Sequence, residues 1–202
     1  MRVLVASRSP GKLREMRPLL VAAGYSPIDL ASAGIPEAPL EDAIEMHASF
    51  ESNALAKARH FFAMSGLPTL ADDSGLCVDA LGGRPGVRSK RWSERPDLQG
   101  QALDDANNAL LTRLLAVHES RRAVFACAVA FVDEDGEIVR RGEARGRMLT
   151  EPQGGNGFGY DPYFWSDELE CSFAVASQAE KARVSHRGRA LRSVLAALAA
   201  RR

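Results

Sequence analysis

A mixed α/β fold, a central sheet flanked by helices, is what this sequence predicts, and three observations carry the prediction. Short apolar runs such as Val3-Leu4-Val5-Ala6 and Leu67-Pro68-Thr69-Leu70-Ala71 have the length and content of buried strands. Between them lie helical patterns: Ala48, Leu55 and Phe62 recur at seven-residue spacing, with Ala54 and Phe61 beside them, forming one apolar face. Ala123–Val132 then meets Glu137–Ala144 through Asp133-Glu134-Asp135-Gly136, a hairpin signal that argues against an all-parallel sheet.

The elements follow in order. The strand at 3–6 leads through Ser7-Arg8-Ser9-Pro10-Gly11 into a helix over Lys12–Ala23, which Pro18 is expected to kink or break. A second strand is read at Ser26–Leu30, then a Pro- and acid-rich connection at Ile35–Glu41. A longer helix runs from Glu45 or Ser49 to Met64, and the strand at 67–71 should end where Asp72-Asp73 begin. The glycine- and proline-rich loop Ala80–Gly86 precedes a helix over Gln101–His118 and then the hairpin. Thr150–Gly159 is a loop with four glycines, and a C-terminal helix is capped by Ser185. No repeat, low-complexity segment or linker interrupts the 202 residues, which suit a single domain over 1–202 made of two lobes sharing a cleft.

Composition excludes several classes. Lys+Arg and Asp+Glu each number 26, leaving no global charge for nucleic acid or an anionic membrane. No apolar stretch approaches the ~18 residues of a membrane helix, and the N-terminus is too short and too quickly polar for a signal peptide. Cys77, Cys127 and Cys171 match no metal spacing and read as small hydrophobes in a reducing, cytoplasmic setting.

Chemistry concentrates in a few places. Asp72-Asp73 repel one another unless something positive sits nearby, so a metal is one reading and an Asp-rich turn the other. Because adjacent strand side chains face opposite ways, only one of the pair should address a ligand. Ser7–Lys12 enters a helix whose free N–H groups favour a phosphate, although a plain turn with a solvated lysine fits too. Ser49, Asn53 and Lys57 fall on one helical stripe, which is ordinarily a wet face. Phe158-Gly159-Tyr160-Asp161 offers an aromatic platform for a flat ligand, or a turn whose aromatics plug the core. Lys181 and Ser185-His186-Arg187-Gly188 place donors at a helix start, suited to an anion or a carbonyl-rich ring, or simply to water. Taken together, acids, scattered cations, a platform and ring-reading donors describe a nucleoside triphosphate site.

These residues resemble the inosine/xanthosine triphosphate pyrophosphatases, which remove non-standard purine nucleotides. Six motifs occur in the family's order: Ser7-x-Ser9-x-x-Lys12, Glu45-x-His47-x-Ser49-Phe50-x-Ser52-Asn53-Ala54-x-x-Lys57-Ala58, Ala71–Leu76, Leu81-Gly82-Gly83-x-Pro85-Gly86, Gly157–Pro162, and Glu180-Lys181 with Ser185–Gly188. Ser9 stands where the family usually has Asn, His47 replaces Gly, and Ser52 replaces Glu.

The resemblance implies an ITPase-like (anticodon-binding-like) α/β fold with two lobes around a nucleotide cleft. It also implies a homodimer and hydrolysis of dITP, ITP or XTP to monophosphate and pyrophosphate with one or more Mg²⁺ per subunit. By position it makes Asp73 the general base, Glu45 and Asp73 the metal ligands, and Lys12 catalytic. Ser7, Arg8, Ser9, Pro10, Gly11, Lys12, Lys57 and Ser74 would hold phosphates. Phe158, Gly159, Tyr160 and Asp161 would hold base and sugar, while Lys181, His186 and Arg187 would read the purine. Two alternatives stay open: a Maf-like pyrophosphatase acting on modified pyrimidines, and a nucleotide-binding regulator without turnover.

Overall fold

Seven strands form one sheet in the order β2-β1-β3-β4-β5-β6-β7 in this computed structural model, which describes residues 1–38 and 41–201. The strands are β1 (Arg2–Val5), β2 (Ser26–Asp29), β3 (Thr69–Val78), β4 (Arg122–Asp133), β5 (Gly136–Met148), β6 (Phe164–Ser166) and β7 (Cys171–Ser172). The helices are α1 (Pro10–Ala22), α2 (Glu41–Ile44), α3 (Phe50–Ser65), α4 (Gly100–Leu115), α5 (Gln178–Val184) and α6 (His186–Ala199). β1 pairs in parallel with β2 and β3, and β5–β6 and β6–β7 are antiparallel, so the sheet is mixed as the hairpin requires.

The chain divides into two units. The first holds residues 1–73, 127–142 and 186–202, and the second 74–126 and 143–185. β3, β4 and β5 each run from one unit into the other. In the first unit Val3, Val5 and Leu70 of the sheet pack with Met16 and Leu20 of α1 and with Leu191 and Val194 of α6. In the second, Leu76 and Val78 join Leu111 and Leu115 of α4 and the rings of Phe125, Phe164 and Phe173. Phe125 and Phe173 stack with ring centroids 5.9 Å apart.

Several local expectations are corrected. Helix α1 starts at Pro10 rather than Lys12, because Ser9 caps it and proline is pre-shaped for the first helical position. It continues unbroken through the exposed Pro18. Ser49 caps α3, so Glu45 lies outside that helix. β3 does not stop at Ala71: it runs ten residues to Val78, which puts Asp72 and Asp73 in mid-strand rather than at a strand end. Helix α5 and strands β6 and β7 have no counterpart in the sequence reading. A capping box between Ser177 and Glu180 opens α5, and Ser185, in an extended conformation, ends it just before α6. The expected 35–41 connection lies partly outside the described residues.

Candidate functional site

The acidic pair separates across the sheet, as strand alternation dictates. Asp72 is on the side of α1 and α6. Its Oδ2 lies 3.1 Å from Lys12 Nζ and accepts from Arg187 Nε at 3.0 Å, and Arg187 Nη1 pairs onward with Glu15. Asp73 is on the side of α3, where Asn53 Nδ2 donates to its Oδ2 at 2.8 Å. The opposed environments give the two carboxyls opposite acidities. Burial alone would raise Asp72, but Lys12, Arg187 and Lys57 outweigh it and hold this carboxyl well below the usual range. Burial wins at Asp73, whose pKa stands above that of an ordinary aspartate despite Lys12 and Asn53. For Lys12, burial disfavours the charge, yet Asp72 and the neighbouring acids raise its pKa.

Helix α3 supplies two polar side chains that the wet-face reading misplaces. Asn53 is 1% exposed and Lys57 9%. Asn53 Oδ1 accepts from the His47 backbone at 2.8 Å while its amide holds Asp73, so one side chain ties the segment before α3 to the acid. Lys57 Nζ donates to the Asp72 carbonyl at 2.6 Å and pairs with Glu45. Burial opposes ionisation of Glu45, but Lys57 holds its pKa low. The departures from the family pattern are absorbed locally. The His47 residue is exposed and its backbone is engaged by Asn53, Ser52 meets the capping Ser49 hydroxyl at 2.9 Å, and Ser9 caps α1 as Asn would.

At the start of α1, Ser7 is buried and its Oγ accepts from Ser9 N–H at 3.2 Å, with Gly11 buried beside them. Arg8 differs from its expected phosphate role. Its guanidinium forks onto Glu41 at 2.7 and 3.1 Å and donates to the Ile35 and Pro36 carbonyls, pinning the segment that leads to α2. Arg187, expected to read the purine, places its guanidinium on Asp72 and Glu15, and His186 beside it is buried.

The glycine-rich loop belongs to the second unit. Asp161 Oδ2 accepts from Phe158 N–H at 2.9 Å and from Lys181 Nζ, whose ammonium stands 5.3 Å from the ring centroids of both Phe158 and Phe173. A Cβ on Gly157, at φ +79°, would come within 2.1 Å of that same Asp161 oxygen, so the turn admits only glycine. Phe158 remains half-buried, but Tyr160 is not a platform. It packs in the core, and its hydroxyl donates to the Ser89 carbonyl at 2.9 Å. Ser74, next to Asp73 on β3, is half-buried.

The sequence reading passed over Glu15, Asp104 and Asn108, and left Asn53 out of the site. A faint signal existed for the asparagines: Asn is a poor helix-interior residue, and Asn53 and Asn107-Asn108 sit inside helical patterns.

Among the described residues, no group of three or more His, Cys, Asp or Glu side chains is arranged to hold a metal. Two acids, Glu45 and Asp73, remain as candidates. Two carboxylates fit Mg²⁺, which keeps several waters and takes the rest of its shell from substrate phosphates. Asp73, buried and only partly compensated by Lys12 and Asn53, would gain from such a cation.

Comparison with known proteins gives concordant results. A model described as the Ham1 family matches residues 3–197. A dITP/XTP pyrophosphatase from Mycolicibacterium paratuberculosis is 51% identical over 200 residues, covering 97% of this chain and 95% of its own. A HAM1 protein from Coxiella burnetii superposes with a TM-score of 0.83 at 33% identity, over 98% of both chains. The nucleoside-triphosphatase (dITP/XTP pyrophosphatase) from Mycobacterium abscessus gives 0.71 at 43% identity, over 96% of this chain and 99% of that one. No helix among the described residues is long and apolar enough to cross a membrane.

Proposed function

We propose that this chain, which belongs to the Ham1 family, is a hydrolase of non-standard purine nucleoside triphosphates, cleaving dITP, ITP or XTP to monophosphate and pyrophosphate with Mg²⁺. The observation that carries this reading is a buried carboxylate, Asp73, held by Asn53 and flanked by two lysines, Lys12 and Lys57, that reach the adjacent Asp72.

Roles divide by unit. In the first unit, Ser7, Ser9, Gly11 and the start of α1 receive phosphate oxygens, because the helix N-terminus offers N–H groups and a positive dipole end. Glu45 and Asp73 would hold the Mg²⁺, which when bound neutralises phosphate charge and acidifies a coordinated water. Asp73, held by the Asn53 amide, takes the proton of the attacking water. Lys12 and Lys57 offset the charge that develops on departing pyrophosphate.

In the second unit, Phe158 supplies a face for the purine, and Lys181 beside it supplies a donor for a 6-oxo group. A 6-amino purine presents hydrogens to that donor and leaves it unpaired, a mismatch able to discriminate by up to about 10⁴-fold. His186 and Arg187 are assigned to the base by family resemblance alone; the contacts of Arg187 favour a part in holding Asp72 and Glu15. A homodimer and a purine nucleotide as the partner complete the reading, and the balanced charge speaks against nucleic acid.

Pyrophosphate release with Mg²⁺ should be fast on dITP and XTP and slow on dATP and dTTP, and slow also on dGTP, whose 6-oxo group suits the Lys181 donor and whose rejection needs a second contact near its 2-amino group. Equal rates on all five, or none, would sink the proposal. Sedimentation at micromolar concentration should return twice the 21.8 kDa chain mass.

A further inference from the structure

We propose that Asp104 and Asn108 of α4 are positioning residues that set Phe158 for the purine, an inference that rests on the function proposed above. The two side chains are one helical turn apart and so share a face. Between them they take both polar atoms of one residue in the glycine-rich loop. Asp104 Oδ2 accepts from Gly159 N–H at 2.8 Å, and Asn108 Nδ2 donates to the Gly159 carbonyl at 3.0 Å. Gly159 adopts φ +62°, a left-handed conformation that favours glycine, and these two bonds fix both of its polar atoms. The peptide unit joining Phe158 to Gly159 contains the very N–H that Asp104 holds, and Asp161 holds the N–H on the other side of Phe158. The Phe158 backbone is thus clamped at both of its amides, one clamp from its own loop and one from α4.

A residue that only positions the base-binding ring contributes equally to ground state and transition state, so its loss raises KM and spares kcat. A residue that mattered only to folding would not separate the two constants, nor be rescued by an isostere that keeps the acceptor. The test is steady-state kinetics on dITP with Mg²⁺, together with amide hydrogen exchange over residues 154–163, for wild type, Asp104→Ala, Asp104→Asn and Asn108→Ala.

Asp104→Ala should raise KM about tenfold, the worth of one hydrogen bond to a charged acceptor, with kcat within about twofold. Exchange over 154–163 should quicken while the first unit keeps its protection. Asp104→Asn, whose amide oxygen can still accept from Gly159, should restore most of both, and Asn108→Ala should follow Asp104→Ala with a smaller change. Unchanged KM and exchange in both alanine variants would overturn the inference, as would a fall in kcat at constant KM. Should Asp104→Ala fail to fold, Asn108→Ala decides by the same two readouts. A wild type inactive on dITP and XTP would defeat the proposed function instead, leaving the exchange comparison to judge the clamp.

Discussion

The two units engage their buried polar groups by different means. The first buries charge against charge: Lys12, Asp72, Arg187 and Glu15 form a continuous chain of ion pairs, and Lys57 with Glu45 forms another. The second relies mainly on hydrogen bonds to the backbone of one glycine-rich loop, with the buried ion pair Lys181–Asp161 among them. The difference teaches where each half is vulnerable. Removing one partner from a buried charge chain strands the others, whereas disturbing the loop acts first on the local backbone that those hydrogen bonds hold.

Within the first unit the adjacent aspartates sharpen this comparison most. Asp73→Asn should lower turnover by about 10²–10⁴-fold, the usual contribution of a general base. Because burial disfavours the Asp73 charge, the same change should leave the metal-free melting temperature unchanged or raise it. Near-normal turnover would remove Asp73 from the base role. Asp72→Asn should do the opposite to stability, costing about 3–5 kcal/mol in denaturant unfolding, since Arg187 and Lys12 would lose their shared counter-charge. A loss below about 1 kcal/mol would show that the chain is not held by its charges.

In the second unit, Gly157→Ala should cost about 1–3 kcal/mol through the strained φ and the clash with Asp161. It should raise KM for dITP more than it lowers kcat, and a kcat effect alone would contradict the division of labour.

The smallest effect belongs to the Arg8–Glu41 fork, half-open to solvent. Arg8→Ala should cost no more than about 1 kcal/mol at neutral pH. The Arg8 guanidinium holds the Glu41 pKa below its ordinary value of 4.5. The fork's contribution is therefore fully present above that value and fades as pH falls through the lower, folded one. Melting curves of wild type and variant should converge on acidification; a gap that persists or widens would refute the assignment.

Much of this was legible in the chain, and the limits are instructive. Residue type and spacing sufficed to expect that Asp72 and Asp73 face opposite ways and that a helix follows Ser7–Gly11, because strand alternation and helix periodicity are local rules, although the Ser9 cap and the Pro10 start escaped them. The same local rules misjudged Asn53 and Lys57, which a helical stripe of polar residues ordinarily turns to water. The contacts of Arg8 and Arg187 were beyond those rules for a related reason: a guanidinium has five donors on a long stem, and nothing in its neighbours along the chain tells which acceptors it will reach. The Arg187–Asp72 pair spans 115 positions and the Arg187–Glu15 pair 172.

What the sequence determined by itself was the inventory: a mixed α/β sheet, an acid pair facing opposite ways, a phosphate-suited helix start and a glycine-rich aromatic loop. Each follows from interactions among residues a few positions apart. Only the tertiary structure decided allegiance. It made Asp72 the neutralised anchor of Lys12 and Arg187, left Asp73 the under-compensated carboxylate, sent Tyr160 into the core, and gave Gly159 to Asp104 and Asn108. The physical reason is that acidity and orientation depend on burial and on which charges lie within a few ångströms, and both are set by strands and helices distant in the chain.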